Sequence, residues 1–140
     1  MPVPDANANQ VIATNAAPAA IGPYSQGIRH GSLAFLSGQI GLDPLTQQLV
    51  EGSVADEARQ VFRNLGAVAT AAGGSLADTT KITLYLTDLA AFAEVNTVMT
   101  EFFIAPFPAR ATVGVAALPR GARVEADAIL SLSKGEPTVG

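Results

Sequence analysis

One arginine in this chain of 140 residues is especially well placed to grip a small anion. Arg110 lies in Phe107-Pro108-Ala109-Arg110-Ala111-Thr112-Val113, after a proline and at the head of a β-branched, alternating stretch. A strand that opens this way presents its first side chain at the end of a sheet, where ligand clefts form. Only 8 residues are Lys or Arg, so a cation at such a place is worth pursuing as more than surface decoration. A guanidinium makes two parallel hydrogen bonds to a carboxylate. The residues therefore predict a small-molecule carboxylate site anchored by Arg110. A structural cation at an interface is the competing reading.

Glu125 is the candidate proton carrier. It falls on the mixed face of a predicted last strand, two residues after Arg123 and two before Asp127. A half-buried carboxylate rises towards neutrality and can move protons for water. The alternative is that Glu125 and Asp127 are edge carboxylates paired with Arg or Lys. Asn96 sits in the apolar stripe of a predicted helix and needs a partner, which a helix-to-loop hydrogen bond would satisfy. Tyr24 follows the Gly22-Pro23 break and either lines a pocket or packs under a loop. Ser37-Gly38-Gln39-Ile40-Gly41 ends a strand; Gly38 lets backbone approach a ligand, or marks a β-bulge. Ser37 has no histidine in predicted reach, which argues against a serine hydrolase. His30, the only histidine, is expected at a solvated turn.

Composition narrows the function classes. Cysteine is absent, which removes disulfides and thiolate chemistry, and a single histidine cannot make a zinc cluster. The net charge is −4 and no basic run exists, so a phosphate-backbone groove is not expected. No apolar run reaches the ~18 residues of a membrane span, and no signal peptide is apparent, so the cytoplasm is the expected compartment. Only 14% of residues are charged, which fits either burial of surface in an oligomer or an alanine-rich composition.

These groups need elements to hold them. Residues 1–11 lack periodicity and read as a flexible arm, and Pro137–Gly140 as a loose end; residues 12–135 form the domain. Ile28–Ser37 reads as a hairpin turning at His30-Gly31-Ser32. Ser53, with Asp56 three residues on, caps a helix whose stripe includes Val61, Phe62, Leu65 and Val68, and Gly73-Gly74 stops it. Lys81–Thr87 alternates as a strand. Asp88 or a neighbour caps a second helix to about Phe103, with Phe92, Val95, Met99, Phe102 and Phe103 buried; Pro106 and Pro108 prevent its continuation. Strands at about Ala111–Ala117 and Arg123–Leu132 follow, joined at Pro119-Arg120-Gly121. The order predicts an α+β layer, one sheet with two helices on one face. The other face must be covered too, as a subunit interface with a polar pocket.

Ordered blocks along the chain resemble the RidA family, also called YjgF. They are Ala17–Gly27 with Gly22-Pro23-Tyr24-Ser25-Gln26, Ser37-Gly38-Gln39-Ile40, Asn64-Leu65 with Ala71-Ala72-Gly73, Phe92-Ala93-Glu94-Val95-Asn96 with Phe102-Phe103, Phe107-Pro108-Ala109-Arg110, Leu118-Pro119 and Val124-Glu125-Ala126. They run from about Ile12 to Lys134. The resemblance implies a homotrimer of a chorismate-mutase-like fold with sites between subunits. It implies hydrolysis of reactive 2-enamino and 2-imino acids to 2-keto acids and ammonia without a cofactor or metal. It also implies that Arg110 binds the substrate carboxylate and Glu125 positions or activates water, with Tyr24, Ser37, Gly38, Asn96 and Thr112 as pocket residues. Thr112 stands where many relatives carry cysteine, so a thiol is not required here.

Two other functions fit the same residues. One is a non-catalytic trimer that binds 2-keto acids or amino acids through Arg110. The other is a ribonuclease or translation inhibitor, which the acidic charge disfavours. Glu125 favours catalysis, because holding a carboxylate does not require it. Neither nucleic acid nor membrane is an expected partner.

Overall fold

The computed structural model describes residues 8–132. The expected loose end at Pro137–Gly140 lies outside the described residues, as do positions 1–7 of the arm and the domain's last stretch from 133 to 135. Six strands and two helices run in the order β1 (Gln10–Ile12), β2 (Gly27–His30), β3 (Leu33–Ile40), α1 (Val54–Ala71), β4 (Thr79–Leu86), α2 (Phe92–Phe102), β5 (Ala109–Gly114) and β6 (Val124–Ser131). They form one mixed sheet of order β1-β2-β3-β6-β4-β5, antiparallel except for the β4–β5 pair. That pair is parallel because α2 carries the chain back across the sheet.

The β2–β3 hairpin turns where expected, with Gly31 at φ 64°. Ser53 and Asp56 form a reciprocal capping box at α1, and Gly73 follows it at φ 96°. The buried side of α1 carries Val61, Phe62, Leu65 and Val68. It lies against the strand positions Ala34, Leu36, Ile82, Leu84, Leu86, Val124, Ala126 and Leu130, all buried. Phe62 makes ring contacts with Phe102 and Phe103, which joins the two helices. Strand β6 alternates strictly between buried and half-buried residues, so Glu125, Asp127 and Ile129 face away from the helices.

Four expectations change. The arm does not extend to residue 11: Gln10, Val11 and Ile12 pair with Arg29, Ile28 and Gly27, and Ile12 enters the core. A three-residue strand is too short to show a period of two. Asp88 caps a short 3₁₀ turn at Leu89–Ala91, and α2 begins only at Phe92. Phe92 is therefore not on the buried stripe; it is 39% exposed, and Val98 is buried instead. Strand β5 starts earlier than expected, at Ala109, and ends at Gly114.

Candidate active site

The predicted site residues fall into two groups on opposite faces of the sheet. Arg110 pairs in register with Ile82, a core residue, so it projects to the helix side. There its guanidinium donates to Asn96 Oδ1 at 2.5 Å, lies 3.6 Å from the Met99 sulfur, and sits 5.1 Å above the centre of the Phe92 ring. The polar residue in the α2 stripe thus has a cation as its partner rather than a loop. The three contacts fix the plane of the fork, and Arg110 itself is exposed. Thr112, two residues on, pairs with Leu84 and faces the same way. Its hydroxyl oxygen is buried without a hydrogen-bond partner among the described residues.

Glu125 lies on the other face, opposite Ile40 on β3 and Tyr85 on β4. With Tyr24, Ser37, Gly38 and Gln39 it lines a cleft of about 600 Å³ whose further walls include Pro18, Ile21, Leu42 and Arg120. Between Leu36 and Gln39 the β3–β6 register slips, so Ser37 and Gly38 together oppose Asp127. This is a β-bulge, and it has a steric use. A Cβ on Gly38 would stand 2.0 Å from Glu125 Oε2. Gly38 therefore makes room for the carboxylate. Burial, and then the nearby charge of Asp127, push the Glu125 carboxyl above the usual carboxylate range. The Ser37 hydroxyl donates to the Ser25 carbonyl at 2.5 Å and its amide donates to Gln26 O at 3.0 Å, so Ser37 ties the Tyr24 loop to β3. Tyr24 is 53% exposed at the cleft wall.

The expected pairing of Glu125 and Asp127 with Arg or Lys does not occur among the described contacts. Asp127 Oδ2 instead accepts from the Tyr85 hydroxyl at 2.8 Å, and Arg123 turns to the buried Glu57. Three residues that hold the cleft were not singled out for this work from the sequence. Buried Gln26 accepts from Thr14 N at 2.7 Å and donates to Pro18 O at 2.7 Å, pinning one wall. Buried Asn64 on α1 donates to Ile40 O at 3.1 Å and Leu42 O at 2.9 Å, pinning another. Glu57 accepts from the Arg123 amide at 2.9 Å and from its side chain, which places the start of β6. Their signal in sequence was only a place inside the blocks, or a polar residue on an apolar helix face. His30 is exposed and lies 3.0 Å from Asn9 Oδ1, away from both groups.

Fold and site together define an α+β sheet protein with a bulge-mouthed carboxylate cleft and a cradled arginine on its edge strand. Comparison with known proteins places it further. Residues 14–131 match the family described as Endoribonuclease L-PSP. A curated relative, the RutC family protein y4sK of Sinorhizobium fredii, is 50% identical over 122 residues, 87% of this chain and 97% of that protein. The Bos taurus 2-iminobutanoate/2-iminopropanoate deaminase is 48% identical over 120 residues, 86% of this chain and 88% of that protein. The crystal structure of RidA from an Antarctic Psychrobacter superposes with a TM-score of 0.85 at 49% identity, covering 87% of this chain and 98% of that one. The chain belongs to the RidA/YjgF family. Among the described residues no helix is long and apolar enough to cross a membrane.

Proposed function

We propose that the protein is a 2-imino acid deaminase, hydrolysing the imines and enamines of small 2-amino acids to 2-keto acids and ammonia. The observation that carries this reading is that one chain holds both groups the chemistry needs: an arginine cradled by Asn96, Met99 and Phe92, and a half-buried carboxylate at the bulge. Relatives 46–48% identical that bear the deaminase name support it. In the chemistry, Arg110 holds the substrate carboxylate by two hydrogen bonds and so fixes C2. Water adds to C2 of the protonated imine as Glu125 accepts one of its protons. That proton returns to the nitrogen of the carbinolamine, the C–N bond breaks, and the hydroxyl proton leaves with ammonia as ammonium. The protonated imine is already electrophilic, so positioning and one proton carrier suffice.

The two groups cannot meet within one protomer, because β5 and β6 send them to opposite faces. The reading therefore requires a second copy, and the family resemblance supports a homotrimer, in which β5 and α2 of one copy deliver Arg110, Thr112 and Asn96 to the Glu125 cleft of the next. Exposed Phe35 and Val113 on the open face support burial of that face against other copies. The reading requires no metal or cofactor and suits a cytoplasmic protein. A net charge of −4, with Arg120 the one cation among the described residues lining the cleft, argues against a nucleic-acid substrate.

The test is keto-acid release from an imine generated in situ by a pyridoxal-phosphate serine or threonine dehydratase, with semicarbazide as competing trap. The protein is expected to accelerate keto-acid formation, and Arg110→Ala and Glu125→Gln to abolish that acceleration. A lost bidentate charged contact of ~1.5–3 kcal/mol corresponds to roughly 10- to 150-fold, and misalignment of C2 adds to it. Keto-acid binding without any acceleration would favour the non-catalytic binding trimer.

A further inference from the structure

The open face of the sheet holds a polar pair that the proposed chemistry leaves unused. Tyr85 opposes Glu125 across the β4–β6 ladder, and Thr83 opposes Asp127, so Tyr85 and Asp127 are diagonal neighbours. The Tyr85 hydroxyl donates to Asp127 Oδ2 at 2.8 Å. Asp127 follows Glu125 by two residues on one strand, which places both carboxylates on one face about 6–7 Å apart at the backbone. Gly38 leaves the Glu125 side uncrowded. We propose that Tyr85 and Asp127 are positioning residues for Glu125: the phenol anchors a carboxylate beside it, and this anchored charge, added to burial, favours the protonated form of Glu125. The proposal rests on the reading of Glu125 as the proton carrier.

The surroundings of Glu125 leave few competitors for this role. On β3 the bulge contributes Ser37 and Gly38, neither of which titrates here. On β4, Lys81 lies four residues before Tyr85, beside Ile129. On β6, Arg123 is engaged with Glu57 and with Gly52 O at 2.7 Å. Tyr24 and Arg120 line the cleft, and Arg120 donates to Gln47 O at 3.1 Å. In the trimer, Arg110 of a neighbouring copy adds a cation that opposes Asp127. No Arg or Lys pairs with Asp127 among the described contacts, so within one protomer its charge on Glu125 is tempered at a distance, by Lys81 diagonal to it across the ladder. The hydrogen bond to Asp127, with burial, pushes the Tyr85 phenol up to about 12. It therefore stays protonated, and stays a donor, throughout the neutral range.

The experiment uses the full chain with ¹³C-labelled glutamate side chains. The Glu125 carboxyl signal is assigned by its loss in Glu125→Gln, and its titration is followed alongside the pH dependence of kcat/KM. In Asp127→Asn the Glu125 midpoint and the acidic limb of kcat/KM are expected to move together to lower pH, because a like charge no longer opposes ionisation. Tyr85→Phe keeps the charge but frees it to turn away, so a smaller displacement in the same direction is expected. An unmoved Glu125 midpoint in Asp127→Asn overturns the proposal. Should that variant fail to assemble, an unmoved midpoint in Tyr85→Phe overturns it equally. Full turnover by Glu125→Gln would instead remove the catalytic reading of Glu125, while the NMR midpoint would still decide whether Asp127 governs its proton.

Discussion

A Cβ placed on Gly38 falls inside the Glu125 carboxylate, 2.0 Å from Oε2, so this glycine and this acid occupy one space between them. Gly38→Ala must push the carboxylate aside, because the bulge backbone is tied through the Ser37 bonds to Ser25 and Gln26. A displacement of about 1 Å in a reacting group costs about 100-fold in rate. Gly38→Ala is therefore expected to lose about that much of kcat, with circular dichroism and oligomeric state unchanged. Full activity would mean that Glu125 works from another position. At this scale the sequence was a good guide to residue types and a poor one to contacts. Arg110, Glu125 and Asn96 were visible because each is a polar group in an apolar or alternating setting. That Asn96 accepts from Arg110 was not visible, since the bond joins a helix to a strand across 14 positions. Of the two readings of Gly38, the register shows the β-bulge, and the room its missing side chain leaves is filled by the Glu125 carboxylate.

Elements hold the cleft through a few buried polar groups. Asn64 lies on the core side of α1 but spends its amide on Ile40 O and Leu42 O, at the end of β3 where the cleft wall begins. Gln60 donates to its oxygen at 2.9 Å and completes the set. Asn64→Ala leaves two carbonyls without these donors, which costs about 1–3 kcal/mol. Urea unfolding should show that loss, and KM should rise, because Ile40 and Leu42 both line the site. Equal effects on stability and kcat, with KM constant, would show that the wall does not shape binding. The elements themselves were legible where their signals were local: the capping box at Ser53, the glycine turn at Gly31, the alternation of β6. The face of Arg110 was not. A strand's facing is set by its register with its neighbour, here Ile82 opposite Arg110, and α2 and its flanking loops fix that register through packing. Strand β1 escaped notice for a related reason, since three residues acquire meaning only beside β2.

For the whole molecule, the opposed facing of Arg110 and Glu125 turns assembly into part of the chemistry. If each site takes Arg110 from one copy and Glu125 from the next, an Arg110→Ala chain and a Glu125→Gln chain are each inactive alone but complementary together. In a trimer that mixes the two, one of the three interfaces brings the intact arginine of one chain to the intact glutamate of another. Random 1:1 assembly then restores about one site in four. Co-refolding the two variants and measuring imine hydrolysis per site is expected to recover about a quarter of wild-type turnover. Mixing them without unfolding should recover nothing until subunits exchange. No recovery in verified mixed trimers would overturn the shared site, and a sedimenting monomer with full activity would remove it equally. The low charge content fits the shared-site outcome, because a chain that builds its site from two copies must keep the facing surface, with Phe35, Ile129 and Val113, apolar enough to be buried.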